Sequence, residues 1–130
     1  MNYRENLKNQ VDVFQQNVNS NLENLEQTTG NNAYIQRVRY FGMQDALERF
    51  VIQIGSISGN ESLVPPESPI IGVPQYLTTD DIFLNAAYFQ AILIRDEPRG
   101  VDGSVAGSPE GEKGKVAIMN QIMDYIRGMC

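Results

Sequence analysis

The residues most suggestive of chemistry are the glycines and lysines of residues 107–115, which read GSPEGEKGK and precede the apolar pattern VAIMNQIM. A phosphate-binding loop needs Gly, four residues, and then Gly-Lys-Ser/Thr, because backbone N–H groups wrap the phosphate while the hydroxyl holds Mg²⁺. Gly114 and Lys115 supply the central pair, but Pro109 stands in place of the first glycine and Val116 in place of the hydroxyl. The spacing therefore argues against a nucleotide site and predicts no cofactor.

Two pairs of carboxylates could perform acid–base chemistry: Asp80 with Asp81, and Asp96 with Glu97. A general acid needs burial to shift its pKa, whereas both pairs lie at the polar ends of predicted helices. We therefore interpret the first pair as charge at a helix start and the second as a solvated helix end. A small carboxylate-dependent enzyme is the alternative hypothesis for the function.

Histidine is absent from the sequence, and Cys130 is its single cysteine. A chain without imidazole lacks the conventional Ser-His or Cys-His nucleophile, and one thiolate cannot complete a tetrahedral zinc site. The sequence thus predicts no catalytic residue and no metal ligand. A single cysteine also forms no intrachain disulfide, which favours a cytoplasmic location or a place in a virion.

Arg37 and Arg39 lie among Tyr34, Tyr40 and Phe41, an arrangement that could stack on unpaired bases. The 16 acidic and 10 basic residues of the chain give it a net charge of −6, which repels nucleic acid. We therefore favour a helix whose apolar face is core and whose arginines are solvated. Nucleic acid is not an expected partner, and a single-stranded nucleic-acid-binding protein is the second alternative.

The length of 130 residues favours one domain, residues 1–130, and an apolar content of 42% supplies a core. No segment approaches the ~20 apolar residues of a membrane-spanning helix, so no membrane span is predicted. In composition alone, the chain resembles secretion chaperones and small virion or tail components. No motif assigns it to a family.

The first predicted element is an amphipathic helix within residues 1–28, whose apolar residues recur at spacings of three and four. They form one stripe: Leu7, Val11, Phe14, Val18, Leu22 and Leu25. Nine Asn and four Gln among the first 32 residues weaken such a helix in isolation, so its stripe must pack against something. We predict this stripe as an interface with another chain, and the protein's own core is the alternative partner.

A second helical pattern runs from residue 33 to about residue 54. Gly42 lies where its two apolar stripes change phase, so a kink or break is expected there. Residues 50–57 also alternate well enough to form a strand. Together with residues 70–76 they define the alternative fold, α+β with a small antiparallel sheet.

Two connections separate the remaining helices. Residues 55–78 hold four of the six prolines and form a Pro-rich connection, and residues 98–114 are predicted to be a Gly-rich mobile loop open to proteolysis at Lys113 or Lys115. The helix between them, at about 80–95, is apolar on nearly every side and should be the central buried helix. A final helix is expected at about 113–127.

The sequence therefore predicts a mainly α fold, a single small domain of about four helices with two long irregular loops. We predict a non-enzymatic structural or assembly protein that acts through protein–protein contacts. It would associate with itself or belong to a larger complex such as a virus particle. The Asn/Gln-rich first helix and the apolar, Pro-rich connection favour this hypothesis, because both carry apolar surface that needs a partner.

Overall fold

A computed structural model describes residues 2–57, 77–79, 81–97 and 108–130. They form four α-helices: α1 (Tyr3–Leu25), α2 (Asn31–Gly55), α3 (Ile82–Asp96) and α4 (Pro109–Gly128). The predicted mainly α fold is confirmed, and these described ranges contain no strand. The alternative strand at 50–57 is wrong because α2 continues to Gly55. Its proposed partner at 70–76 lies outside the described residues.

Three of the four helices, α1, α3 and α4, begin at side-chain caps that the sequence supplies. Asn2, Asp81 and Ser108 each accept a hydrogen bond from a backbone N–H three residues further on, which satisfies one free donor of the first turn. The capping oxygen of α3 belongs to Asp81, whose own backbone N–H donates to Thr79 Oγ1 at 3.1 Å. Gly30 separates α1 from α2 with a positive φ of 109°, which favours glycine.

One hydrophobic core joins all four helices. Its largest fully buried side chains come from each of them: Leu7, Val11, Leu47, Phe50, Leu84, Met119, Ile122 and Ile126. The helix α3 was expected to be central, but the most extensive helix–helix contact is between α2 and α4. The reason lies in the glycines of those two helices.

Glycines bring the backbones of α2 and α4 into direct contact. A Cβ at Gly42 would lie 1.9 Å from the carbonyl oxygen of Gly111, and a Cβ at Gly114 would lie 1.9 Å from that of Arg39. Neither position can hold a side chain while the helices remain this close. The break expected at Gly42 is absent, since α2 is one continuous helix and its glycine serves close packing.

The glycines of residues 109–114 belong to α4 and not to a loop. This helix begins at Pro109, four residues before the predicted start at Lys113, so the predicted loop at 98–114 is wrong over its last six residues. Pro109 suits a first helical position because its missing N–H has no intrahelical partner there. The rest of that segment, 98–107, and most of the Pro-rich connection, 58–76, lie outside the described residues.

Candidate functional site

The apolar stripe of α1 faces the protein's own core. Leu7, Val11 and Val18 are at most 3% exposed. The other three residues of the stripe are partly buried: Phe14, Leu22 and Leu25. The stripe is therefore not a free surface, and its predicted role as an interface is corrected, because its packing partner is the rest of the chain.

Lys115, the lysine of the phosphate-loop-like sequence, is turned into the protein. Its side chain is 3% exposed and forms an ion pair with Glu112 Oε2 at 2.6 Å. The ammonium also donates to the backbone oxygen of Glu97 at 2.6 Å. That oxygen lies at the C-terminal end of α3, where a cation interacts favourably with the helix dipole. Lys115 thus joins α3 to α4, and is not open to a phosphate.

Of the four candidate carboxylates, the three that the structure describes lie at opposite ends of α3, Asp81 at its start and Asp96 and Glu97 at its end. Asp81 caps α3 through Leu84 N–H at 2.9 Å, and Asp80 lies outside the described residues. Asp96 pairs with Arg95 at 2.8 Å. The hydrogen bond from that guanidinium lowers the pKa of the Asp96 carboxyl below its ordinary value. An ionised, exposed Asp96 is suited to the surface of a helix end.

The two arginines of the nucleic-acid hypothesis are both engaged within the chain. Arg37 Nη1 donates to the carbonyl oxygens of Leu25 and Thr28, at 3.0 and 2.9 Å, and so closes the end of α1. Arg39 Nε donates to Glu110 Oε2 at 2.8 Å across the contact between α2 and α4. One nitrogen of each guanidinium is therefore already used within the chain.

Glu110 is held by two cations. A hydrogen bond from Arg39 and, to a smaller extent, one from Lys113 lower the pKa of its carboxyl below the ordinary value. Within the described ranges, acidic and cysteine side chains form no cluster of three that could hold a metal ion. Cys130 is exposed, and its thiol donates to the carbonyl oxygen of Ile126 at 3.5 Å.

A groove between α2 and α3 is the concave surface with the clearest binding chemistry. Its walls include Ile52 of α2, which is 65% exposed, and Leu93 of α3, which is 41% exposed. The groove has a volume of about 250 Å³. Sites for drug-sized ligands usually start at about 300 Å³, so this groove suits a single side chain with its peptide group.

Two hydrogen-bonding side chains line this groove without a hydrogen-bond partner. Arg49 Nη1 is buried and makes no hydrogen bond, and its ion-pair partner Asp45 Oδ2 is 3.9 Å away. Gln90 is only 8% exposed, and its amide forms no hydrogen bond with the described part of the chain. An unpaired buried donor costs about 1–3 kcal/mol. The Gln90 amide and the accessible part of the Arg49 side chain, which is 30% exposed, can therefore donate to an acceptor that enters the groove, whereas the enclosed Nη1 cannot.

A second groove, of about 340 Å³, lies between α1 and α2, with Val11 and Ile54 on its floor and Arg4 and Lys8 among its lining residues. Its arginine is already occupied. Arg4 Nη1 donates to the carbonyl oxygen of Ile54 at 3.2 Å, and the guanidinium lies 4.4 Å from the ring centre of Phe83. The groove between α2 and α3 is therefore the better candidate for a ligand-binding site.

Sequence reasoning missed Arg49, Ile52, Gln90 and Leu93. A partial signal existed for Ile52, since it lies outside the helical stripe that contains Leu47, Phe50 and Ile54 and so had to face away from the core. No signal existed for the unpaired state of Arg49 and Gln90. That state depends on which side chains two helices bring together.

No family model, no curated protein and no solved structure matches the chain. None of the described helices is both long enough and apolar enough to cross a membrane.

Proposed function

We propose that this chain is a non-enzymatic structural or assembly protein that works through protein–protein contacts. Its contact surface is the outer face of α2 with the adjoining groove, and not the stripe of α1. The site therefore differs from the one expected from sequence, although the class of function is the same.

The observation that carries the proposal is a line of exposed apolar side chains along α2. Tyr34, Phe41 and Ile52 are 56%, 39% and 65% exposed. They are separated by 7 and 11 residues, which correspond to about two and three helical turns, so they share one face of the helix. Apolar side chains aligned on a surface are typical of a protein-interaction site.

The rival functions have less support. Of the carboxylates considered for catalysis, Asp81 caps a helix and Asp96 pairs with a neighbouring arginine. The arginines proposed for nucleic-acid binding are held by carbonyl oxygens or by Glu110. The exposed line on α2 has no such internal role.

A subunit of a larger particle, such as a virus, is the setting that we propose for these contacts. A cytoplasmic or virion location belongs to the same proposal, because the single cysteine supports no intrachain disulfide. When such particles or complexes are purified and sedimented, the chain should sediment with them in a fixed stoichiometry.

Mass measurement tests the proposal. Analytical ultracentrifugation is applied to two samples: the isolated protein at high micromolar concentration, and the tagged protein in extract from cells that make it naturally. At least one sample should contain a species heavier than the 14.6 kDa chain. A 14.6 kDa species in both would refute the proposal.

A further inference from the structure

We propose that the groove between α2 and α3 binds an uncharged, aliphatic peptide segment of a partner protein. In this complex, main-chain carbonyl oxygens of the segment accept hydrogen bonds from Arg49 and Gln90, and one aliphatic side chain packs between Ile52 and Leu93. The inference rests on the proposed function, because it names the partner chemistry of the same surface.

The hydrogen-bonding part follows from the two unpaired side chains. Gln90 is about nine-tenths buried, and its amide forms no hydrogen bond with the described part of the chain. Arg49 forms none either, and although its Nη1 is enclosed, its side chain is 30% exposed. Buried polar groups are normally satisfied, so a bound acceptor supplies what the chain itself does not. Arginine offers donors only, and the amide of glutamine offers two more. The complementary ligand atom is therefore an oxygen acceptor.

The charge of the surroundings favours a carbonyl over a carboxylate. Asp45 Oδ2 lies 3.9 Å from Arg49 Nη1, and Glu97 lines the same groove. A ligand carboxylate would add a further negative charge to a groove that Glu97 lines and whose guanidinium already pairs with Asp45, whereas a peptide carbonyl accepts the same hydrogen bonds without added repulsion.

The aliphatic side chain of the proposed segment is inferred from the two walls of the groove. Ile52 and Leu93 are 65% and 41% exposed on opposite sides of a groove of about 250 Å³. An aliphatic side chain of the partner would cover both. Such an anchor, placed beside hydrogen-bond donors, has the make-up of a protein-interaction hot spot.

Nuclear magnetic resonance titration of the full chain with N-acetyl-leucine methylamide tests this site. The probe contains one aliphatic side chain between two peptide carbonyls and has no charge. We expect saturable shifts of the Ile52 and Leu93 methyl signals and of the Gln90 side-chain amide, with a dissociation constant of about millimolar, as for a small fragment. N-acetyl-leucine, which carries a carboxylate, should bind more weakly.

The variant Gln90→Leu removes the amide while keeping a side chain of similar size, and it should weaken the probe about three- to tenfold. Gln15→Leu is the matched control, because Gln15 lies on α1 and lines the groove between α1 and α2. It should leave the affinity unchanged. Unfolding curves of both variants show whether each one folds, and Leu93→Ser provides a second test by weakening the probe without touching the hydrogen bonds.

Three results would overturn the inference: no saturable shift at Ile52, Leu93 or Gln90; shifts centred on Val11 and Val51 instead; or tighter binding of the carboxylate probe. None of them would affect the mass measurement, which tests the proposed function by itself. Species heavier than the single chain, together with no probe binding in the groove, would mean that the chain has partners and that they bind elsewhere.

Discussion

At the scale of single residues, Lys115 shows how a suggestive motif can have a purely structural use. Replacing it with methionine removes the donor to the Glu97 carbonyl and the ion pair with Glu112 while keeping an unbranched side chain. We expect Lys115→Met to lower the free energy of unfolding by about 1–3 kcal/mol, as for other buried polar groups that lose a partner. Urea unfolding followed by circular dichroism measures this change.

Lys113→Met is the matched control for that substitution. Lys113 lies two residues away on the same helix, but its side chain is 63% exposed and its ion pair with Glu110 is on the surface. Its loss should cost no more than about 0.5 kcal/mol. Equal losses from the two variants would contradict the structural role of Lys115.

Glu110 should make stability depend on pH. Hydrogen bonds from Arg39 and Lys113 hold the pKa of its carboxyl below the ordinary value in the folded protein. The ionised form therefore stabilises the fold at neutral pH, and this contribution disappears as pH falls through the lowered pKa. Wild type should be more stable than Glu110→Gln at pH 7, and the difference should vanish in acid.

Thermal unfolding of both proteins between pH 7 and pH 2 measures that difference. Glu48→Gln serves as the control, because Glu48 is exposed on α2 and forms no ion pair within the described part of the chain. A gap between wild type and Glu110→Gln that stays constant down to pH 2 would contradict the assignment of Glu110.

At the scale of elements, the contact between α2 and α4 depends on glycine. In Gly42→Ala the new Cβ would lie 1.9 Å from the Gly111 oxygen, so the two helices must move apart. We expect a loss of about 1–3 kcal/mol, or more, from this overpacking. Gly128→Ala is the control: nothing lies within 4 Å of its Cβ, and the higher helix propensity of alanine should leave stability unchanged or raise it.

Thermal denaturation distinguishes these two glycine variants by the sign of the effect. Gly42→Ala should melt at a lower temperature than wild type, and Gly128→Ala at the same or a higher one. A stable Gly42→Ala protein would mean that the close approach of α2 and α4 is not required by the fold.

The elements themselves could largely be predicted from the sequence. Apolar patterns located the four helices, although not the residues that cap their starts. The errors came from glycine. The sequence predicts a break at Gly42 and a loop at Gly111 and Gly114, because a sequence shows that a side chain is missing but not that another backbone fills its place.

At the scale of the whole molecule, the candidate site could not be predicted. Arg49 and Gln90 are separated by 41 positions in the chain, and they line one groove only because α2 packs beside α3. The stripe of α1 was the visible apolar face, and the fold buries it. The apolar side chains that remain exposed are those that do not pack into the core. Identifying them requires knowing which helices are neighbours.

The central claim is that the outer face of α2, and not the α1 stripe, forms the protein's contacts. Its most direct test is the sedimentation of wild type, Ile52→Asp and Val13→Asp in extract from cells that make the protein naturally. Ile52 and Val13 are both exposed β-branched residues, 65% and 45% respectively, but Val13 lies on α1, away from the proposed surface. Wild type and Val13→Asp should sediment in species heavier than 14.6 kDa, and Ile52→Asp should shift towards the free chain. An Ile52→Asp protein that stays in the heavy species like wild type, or a shift caused by Val13→Asp alone, would contradict the account.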